Sequence, residues 1–237
     1  MTEIKFRSTP TVQLVKSIAA DSDVAMAARV STIGGSHDKV VDLTRDEGLI
    51  NFLMRDRHGS PFEHNSFTFY IEAPIFVARE FFRHRAGWSY NEESGRYKNL
   101  EPVFYVPAAD RPLVQVGKAG AYTFEDGSTY QKGLVPYVFE GVYSEIYGEY
   151  QSLLDAGIAR EVARSILPVG IFTSFYATCN ARSLMHFLSL RTTDDESTYP
   201  SFPQREIEQV AERMEDYFQH AMPITWRCFQ KHGRVAP

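Results

Sequence analysis

Apolar and polar positions change their period along the chain. Residues 66–72, SFTFYIE, alternate Phe67, Phe69 and Ile71 against Ser66, Thr68 and Tyr70, the two-residue period of a strand with one buried face. Residues 11–18, TVQLVKSI, are rich in β-branched side chains and read as a second strand of the same antiparallel sheet. Between them, Asp21–Val30 and Asp46–Arg57 begin with acidic residues and space apolar positions such as Leu49, Phe52 and Leu53 as helices do. Pro74 suits the first turn of a further helix, running to about Arg85.

The stretch Glu101–Gly133 spreads Pro102, Pro107, Pro112, Gly117, Gly120, Gly127 and Gly133 among short Val, Tyr and Phe runs, and predicts a long excursion with one hairpin. After Pro136 the pattern turns helical, with helices expected at Tyr137–Ala156, Ala159–Leu167, Ser174–Arg191 and Gln204–His220. The fold class expected is α/β of the α+β kind, an antiparallel sheet core packed with helices and a helical C-terminal half.

A length of 237 residues supports one sizeable core, so residues 1–237 are expected to form a single domain. Apolar residues at 43% and charged residues at 23% exclude a largely disordered chain. No apolar run reaches membrane-span length and the first residues lack a signal-peptide pattern, which predicts a cytoplasmic protein without a membrane partner. A net charge of −5 argues against nucleic acid as a partner tracked over the whole surface. Cys179 and Cys228 show no C-x-x-C spacing and read as reduced thiols; His58, Glu63 and His64 match no zinc pattern, so no metal is expected.

Chemistry concentrates in Arg83–Tyr97, RHRAGWSYNEESGRY, where three arginines, a histidine and two carboxylates adjoin an apolar run. On the expected helix, Arg79 pairs in face with Arg83, and Glu80 with His84. A guanidinium among Ile75, Phe76, Val77, Phe81 and Phe82 calls for an anionic partner, because an unpaired buried charge is strongly unfavourable. Ser94-Gly95-Arg96 offers a hydroxyl, close backbone approach and a guanidinium, the parts a phosphate requires. Arg160 and Arg164 stand one helical turn apart, equally suited to a helix end with favourably placed cations. In NARSLMHFLSLR, residues 180–191, Arg182, His186 and Ser189 share one helix face while Asn180, Leu184, Phe187 and Arg191 share nearly the opposite one. Such arginines also suit a non-catalytic phosphate-binding module or a phosphatase, although the latter leaves Asn180–Arg191 unexplained.

Together, RHGSPFEH, the Arg-His-Arg followed by SYNEESGRY, then REVARSILP and NARSLMHFLSLR resemble the flavin-dependent thymidylate synthases, in the right order over about residues 20 to 191. The resemblance implies a homotetramer with sites between subunits that binds FAD, dUMP, methylenetetrahydrofolate and NADPH. It implies flavin contacts at Ser60, Arg83, His84, Arg85, Glu92, Asn180, Ala181, Arg182 and His186. It implies nucleotide contacts at Glu80, Phe81, Phe82, Arg83, Glu92, Glu93, Ser94, Gly95, Arg96, Arg164 and Arg191, with Arg191 as the catalytic residue that polarises the uracil. It also implies that no cysteine attacks the pyrimidine. The chain departs from the family pattern by one extra residue between Arg85 and Ser94, by Glu80 where some members carry Gln, and by the lack of any histidine between His186 and His220.

Overall fold

The computed structural model describes residues 3–34, 43–118 and 121–237. In chain order its elements are β1 (Lys5–Arg7), β2 (Thr11–Ile18), α1 (Asp21–Ile33), α2 (Leu43–Arg55), β3 (Ser66–Pro74), α3 (Ile75–Phe81), β4 (Trp88–Glu92), β5 (Val103–Tyr105), β6 (Val114–Lys118), β7 (Ala121–Glu125), α4 (Thr129–Asp155), α5 (Arg160–Ala163), β8 (Phe172–Cys179), α6 (Ala181–Arg191), α7 (Arg205–Ala221) and α8 (Pro223–Lys231). The fold is mixed α and β, as the sequence predicts. Contacts divide it into two compact units, one made of the chain up to Pro10, Glu72–Ala78 and Glu93–Thr173, the other of Thr11–Ile71, Arg79–Glu92 and Ser174–Pro237.

In the first unit β1 pairs with β5 in parallel, Lys5 opposite Val103, so not every pairing is antiparallel. The expected hairpin is β6–β7, Val114 opposite Glu125; residues 119 and 120, including Gly120 of the glycine pattern, lie outside the described residues. Helix α4 begins earlier than Pro136 suggests, because Ser128 and Gln131 form a capping box: the Gln131 N–H donates to Ser128 Oγ at 3.3 Å and the Ser128 N–H to Gln131 Oε1 at 2.8 Å. Pro136 is carried inside the helix. Leu100, Phe104, Tyr147, Tyr150, Ala163 and Ile171 form the buried core, and the Tyr147 hydroxyl donates to Leu100 O at 3.2 Å. The helix expected over Ala159–Leu167 is the short α5 followed by a 3-10 turn, Arg164–Ile166.

The second unit carries most of a four-stranded sheet ordered β2-β3-β8-β4, in which the two anticipated strands are neighbours. Strand β8 corrects the expected helix over Ser174–Arg191. Its burial alternates, with Phe175, Ala177 and Cys179 inside and Ser174, Tyr176 and Thr178 less covered, a period of two rather than 3.6. The helix starts only after Asn180, whose side-chain oxygen accepts the Ser183 N–H at 2.9 Å. Strand β4 pairs antiparallel with β8 in register Tyr90 opposite Ala177.

Two further expectations change. Pro74 is the last residue of β3, not a first helical turn, and α3 stops at Phe81 instead of Arg85. Beyond it the His84 N–H bonds to Phe81 O at 3.0 Å in a tight turn. Phe81 is fully buried among Phe175, Phe187, Trp88 and Tyr90, with ring centroids 4.6 to 5.9 Å away. This cluster fixes where α3 ends and α6 lies. Helix α8, absent from the sequence reading, is capped by the buried Asp21 carboxylate, which accepts the Ile224 and Thr225 N–H groups at 2.9 and 2.7 Å.

Candidate active site

Because α3 ends at Phe81, Arg83, His84 and Arg85 lie on a turn and not on a helix face. Two side chains hold that turn. The Tyr90 hydroxyl donates to His84 O at 2.7 Å, and Ser183 Oγ on α6 donates to Ala86 O at 2.9 Å. Gly87 has φ +70°, and a Cβ there would fall 2.1 Å from Ser183 Oγ, so both backbone and space demand glycine. Trp88, the loop aromatic next in sequence, stacks on Tyr90 at 5.8 Å and opens β4.

Arg191 at the end of α6 joins two residues from the other side of this turn. Its Nη1 donates to Glu80 Oε1 in a short ion pair, and its Nε donates to His84 Nε2 at 3.0 Å. Glu80 and His84 thus meet through a shared guanidinium, which replaces the expected i,i+4 contact. Desolvation, then the charges of Arg191 and His186, lower the His84 pKa from 6.5 to about 4. The ring is therefore neutral at pH 7, and since Nε2 accepts, its proton sits on Nδ1.

Arg79, Glu80, Phe82, Arg83, Arg85 and Arg191 line a cleft of about 730 Å³, within the range of small-molecule sites. Only Glu80 among them is anionic. Arg79, Arg83 and Arg85 are exposed, not buried among the apolar residues beside them as the sequence suggests, and the turn after Phe81 carries Arg83 and Arg85 to the surface. Their guanidinium groups have no hydrogen-bond or ion-pair partner among the described residues. Four arginines around one carboxylate make the cleft a receptor for anions.

At the other end of α6, Arg182 donates from Nε to Pro237 O at 2.6 Å and from Nη1 to Glu63 at 2.5 Å. That leaves its Nη2 edge available. Gly59, before the 3-10 turn Ser60–Glu63, lies against it: a Cβ would come 2.6 Å from Arg182 Cζ. Ser60 is exposed, and the Ala181 N–H is already used by Asn65 Oδ1 at 2.7 Å. His186 is exposed; partial desolvation, then Arg182, lower its pKa. Glu92 ends β4 opposite Phe175.

Within the first unit, Ser94, Gly95, Arg96 and Arg164 come together. Ser94 opens a turn whose O accepts the Tyr97 N–H at 3.0 Å, while its Oγ accepts the Arg96 N–H at 3.3 Å. The Arg164 stem crosses Gly95, where a Cβ would lie 3.1 Å from Cδ. The Arg164 guanidinium, partly buried, has no partner among the described residues. Arg96 pairs with Glu161 at 2.7 Å, and Glu93 with Lys98 at 3.0 Å; the first is surface-exposed and contributes little stability.

The family model described as thymidylate synthase complementing protein matches residues 13–224. A flavin-dependent thymidylate synthase from Streptomyces avermitilis is 62% identical over 234 residues, covering 98% of this chain and 95% of that one. The chain belongs to the flavin-dependent thymidylate synthase family. A member from Thermotoga neapolitana is 42% identical over 226 residues, 94% of this chain and 91% of its own length. The crystal structure of a UMP/dUMP methylase, PolB, from Streptomyces cacaoi bound with 5-Br dUMP superposes with a TM-score of 0.93, at 53% identity over 99% of this chain and 100% of that one.

Of the residues anticipated for a flavin-dependent thymidylate synthase, the second unit gathers Glu80, Phe82, Arg83, Arg85 and Arg191 on one cleft, with His84 bonded to Arg191. Ser94, Gly95, Arg96 and Arg164 gather in the first unit. Phe81 and Ala181 are buried and can reach a ligand only through main-chain atoms. The sequence reading passed over Arg79 as a cleft residue and Gly59, Glu63, Tyr90 and Ser183 as supports. Each lay in view, Gly59 and Glu63 inside RHGSPFEH, Tyr90 inside SYNEESGRY, Ser183 inside NARSLMHFLSLR and Arg79 one turn before Arg83, but residue type did not mark these roles.

Proposed function

We propose that the chain converts dUMP to dTMP with FAD, methylenetetrahydrofolate and NADPH, working as a cytoplasmic homotetramer with residues 1–237 as one functional domain. The observation that carries this is the cleft around Arg191, where guanidiniums without counter-ions surround an arginine held in place by Glu80 and His84.

The donor set fits a flavin dinucleotide. Arg79, Arg83 and Arg85 offer unpaired cations to a pyrophosphate, and Arg182 offers its free edge beside Gly59 and Ser60. FAD, when bound, supplies the hydride that completes the methyl group. Asn180, Ala181, His186, His84 and Glu92 complete the proposed flavin contacts.

For the nucleotide, Ser94, Gly95, Arg96 and Arg164 are the proposed phosphate contacts, and Glu80, Phe81, Phe82, Arg83, Glu92 and Glu93 are further proposed contacts carried over from the family resemblance. Arg191 faces the uracil, where a fixed guanidinium stabilises the negative charge that develops as C5 becomes nucleophilic. Held at two of its nitrogens, it needs little reorganisation when that charge appears. No thiolate attack is needed, and the thiols suit none: Cys179 is buried with its pKa raised well above the ordinary value by desolvation, and burial lifts Cys228 to about 11.

Exposed apolar positions support the tetramer. In the first unit α4 leaves Tyr130, Leu134, Tyr137, Val138 and Val142 uncovered, and in the second Val15, Ile18, Met26 and Val30 are exposed. No helix among the described residues is long and apolar enough to cross a membrane.

Purified protein should take up FAD, absorb at about 450 nm from the flavin itself, and bleach with NADPH. It should release tritium from C5-labelled dUMP when folate is present. Folded protein that takes up no FAD would refute the reading.

A further inference from the structure

Residues 233–237 lie beyond the family match, which ends at residue 224, yet they touch both ends of α6. Arg234 is 3% exposed and sits at φ 55°, a left-handed conformation rare outside glycine, so this backbone is held by its surroundings. Its guanidinium bonds to both Glu215 oxygens at 2.7 and 2.8 Å and to Gln230 at 2.5 Å. From Nη2 it also donates to Thr192 Oγ1 at 2.6 Å. Thr192 is the C-cap of α6, directly after Arg191.

Three residues on, Pro237 O accepts from Arg182 Nε at 2.6 Å near the start of the same helix. Between these points Arg57, itself at φ 62°, donates from Nη1 to Val235 O at 2.5 Å. Ala236 is 7% exposed. Gly59 closes the arrangement, since a Cβ there would meet Arg182 and come 2.8 Å from Pro237 O.

We infer that residues 234–237 are a positioning strap for the active site, which brace α6 at Thr192 and orient Arg182 toward the flavin by holding its Nε edge. This rests on the proposed flavin role of Arg182. With Nε on Pro237 O and Nη1 on Glu63, two contacts fix the guanidinium plane, and Nη2 is left without a partner among the described residues. Without the strap Arg182 keeps one anchor, and a single contact lets the plane rotate.

The test measures FAD and dUMP affinity and thermal stability in the full chain, in a variant lacking residues 235–237, and in Arg57→Ala, Arg57→Lys and Arg182→Ala. Arg57 is exposed and outside the proposed contacts, so its replacement frees the strap with little risk to folding. Deletion should weaken FAD binding about tenfold, the scale of one lost charge-assisted hydrogen bond, with dUMP affinity unchanged. Arg57→Ala should weaken it in the same sense, Arg57→Lys should restore most of it, and deletion added to Arg57→Ala should do no more than deletion alone. Parental FAD affinity in the deletion variant, beside weakened binding in Arg182→Ala, would overturn the strap alone. Parental affinity in Arg182→Ala would overturn the flavin role of Arg182 and the strap with it.

Discussion

Replacing Arg191 with Ala removes two contacts together, the ion pair to Glu80 and the hydrogen bond to His84. The side chains of Arg191 and Glu80 are 20% and 25% exposed, so water rehydrates much of what is orphaned and the stability loss should stay near 1–2 kcal/mol. Turnover should fall much further. A preorganised donor aimed at developing charge contributes about 3–4 kcal/mol, or roughly 10²–10³-fold in rate. Flavin should remain bound, because Arg83, Arg85 and Arg182 are untouched. His84 supplies an independent readout: with the Arg191 charge gone, its pKa should rise from about 4 toward 6.5, stopping short because desolvation, the larger cause, remains. Proton NMR of the histidine ring follows this directly. Arg191→Lys should return the charge and lower that pKa again, without restoring turnover, since one ammonium cannot span both partners. A variant that loses flavin, or in which His84 titrates as before, would show that Arg191 does not connect this site.

Three other perturbations follow from the same geometry. Gly59→Ala keeps an ordinary helical backbone at φ −75°, so its cost arises from contact with Arg182 and Pro237 O; FAD affinity should drop and the melting temperature fall by the equivalent of about 1–3 kcal/mol, unaltered FAD titrations being the contrary result. Tyr90→Phe removes the hydroxyl from His84 O and should lower stability by about 0.5–1.5 kcal/mol in urea unfolding, with a reduced turnover that an equally stable, fully active variant would contradict. His84 gives a pH signature: its folded pKa of about 4 lies below 6.5, so the unfolded chain binds the proton first, and this part of the stability is present above about pH 6.5 and lost as pH falls toward 4. Urea midpoints of the parent should fall more steeply over that window than those of His84→Asn, and parallel curves would exclude His84 as the cause.

Sequence pattern succeeded where one period ruled a whole element. The alternation at 66–72 and the spacing of Ile207, Val210, Ala211, Met214 and Phe218 each have one physical reading. It failed where two elements adjoin with no turn between them. Residues 172–191 contain a strand and a helix joined at Asn180, and only the cap chemistry of Asn180 marks the change. Likewise Pro74 reads as a helix start until the sheet claims it. For the site, the motifs brought out Arg191, Arg182 and the Arg-His-Arg turn; charge beside apolar runs requires partners at the partly buried Arg182 and Arg191, whereas Arg83 and Arg85 are exposed. The supports remained hidden since they act through main-chain oxygens: Tyr90 on His84, Ser183 on Ala86, Arg57 on Val235. Nothing in residue type announces such a contact.

Helix α6 shows why these supports matter. Arg182 and Arg191 sit on nearly opposite faces, so no single surface can orient both, and a rotation that favoured one would misplace the other. The helix interior settles this with Leu184, Phe187 and Leu188, all fully buried, which fix its rotation. Each arginine then receives two oriented contacts of its own, Glu80 and His84 for Arg191, Glu63 and Pro237 for Arg182. Two contacts define a guanidinium plane where one leaves it free to swing. The chain thereby separates fixing the helix, done by apolar packing, from aiming its charges, done by polar partners on α3, the Arg-His-Arg turn, the 60–63 turn and residues 234–237. A substitution among those partners should alter ligand binding more than stability, whereas one at Phe187 should do the reverse.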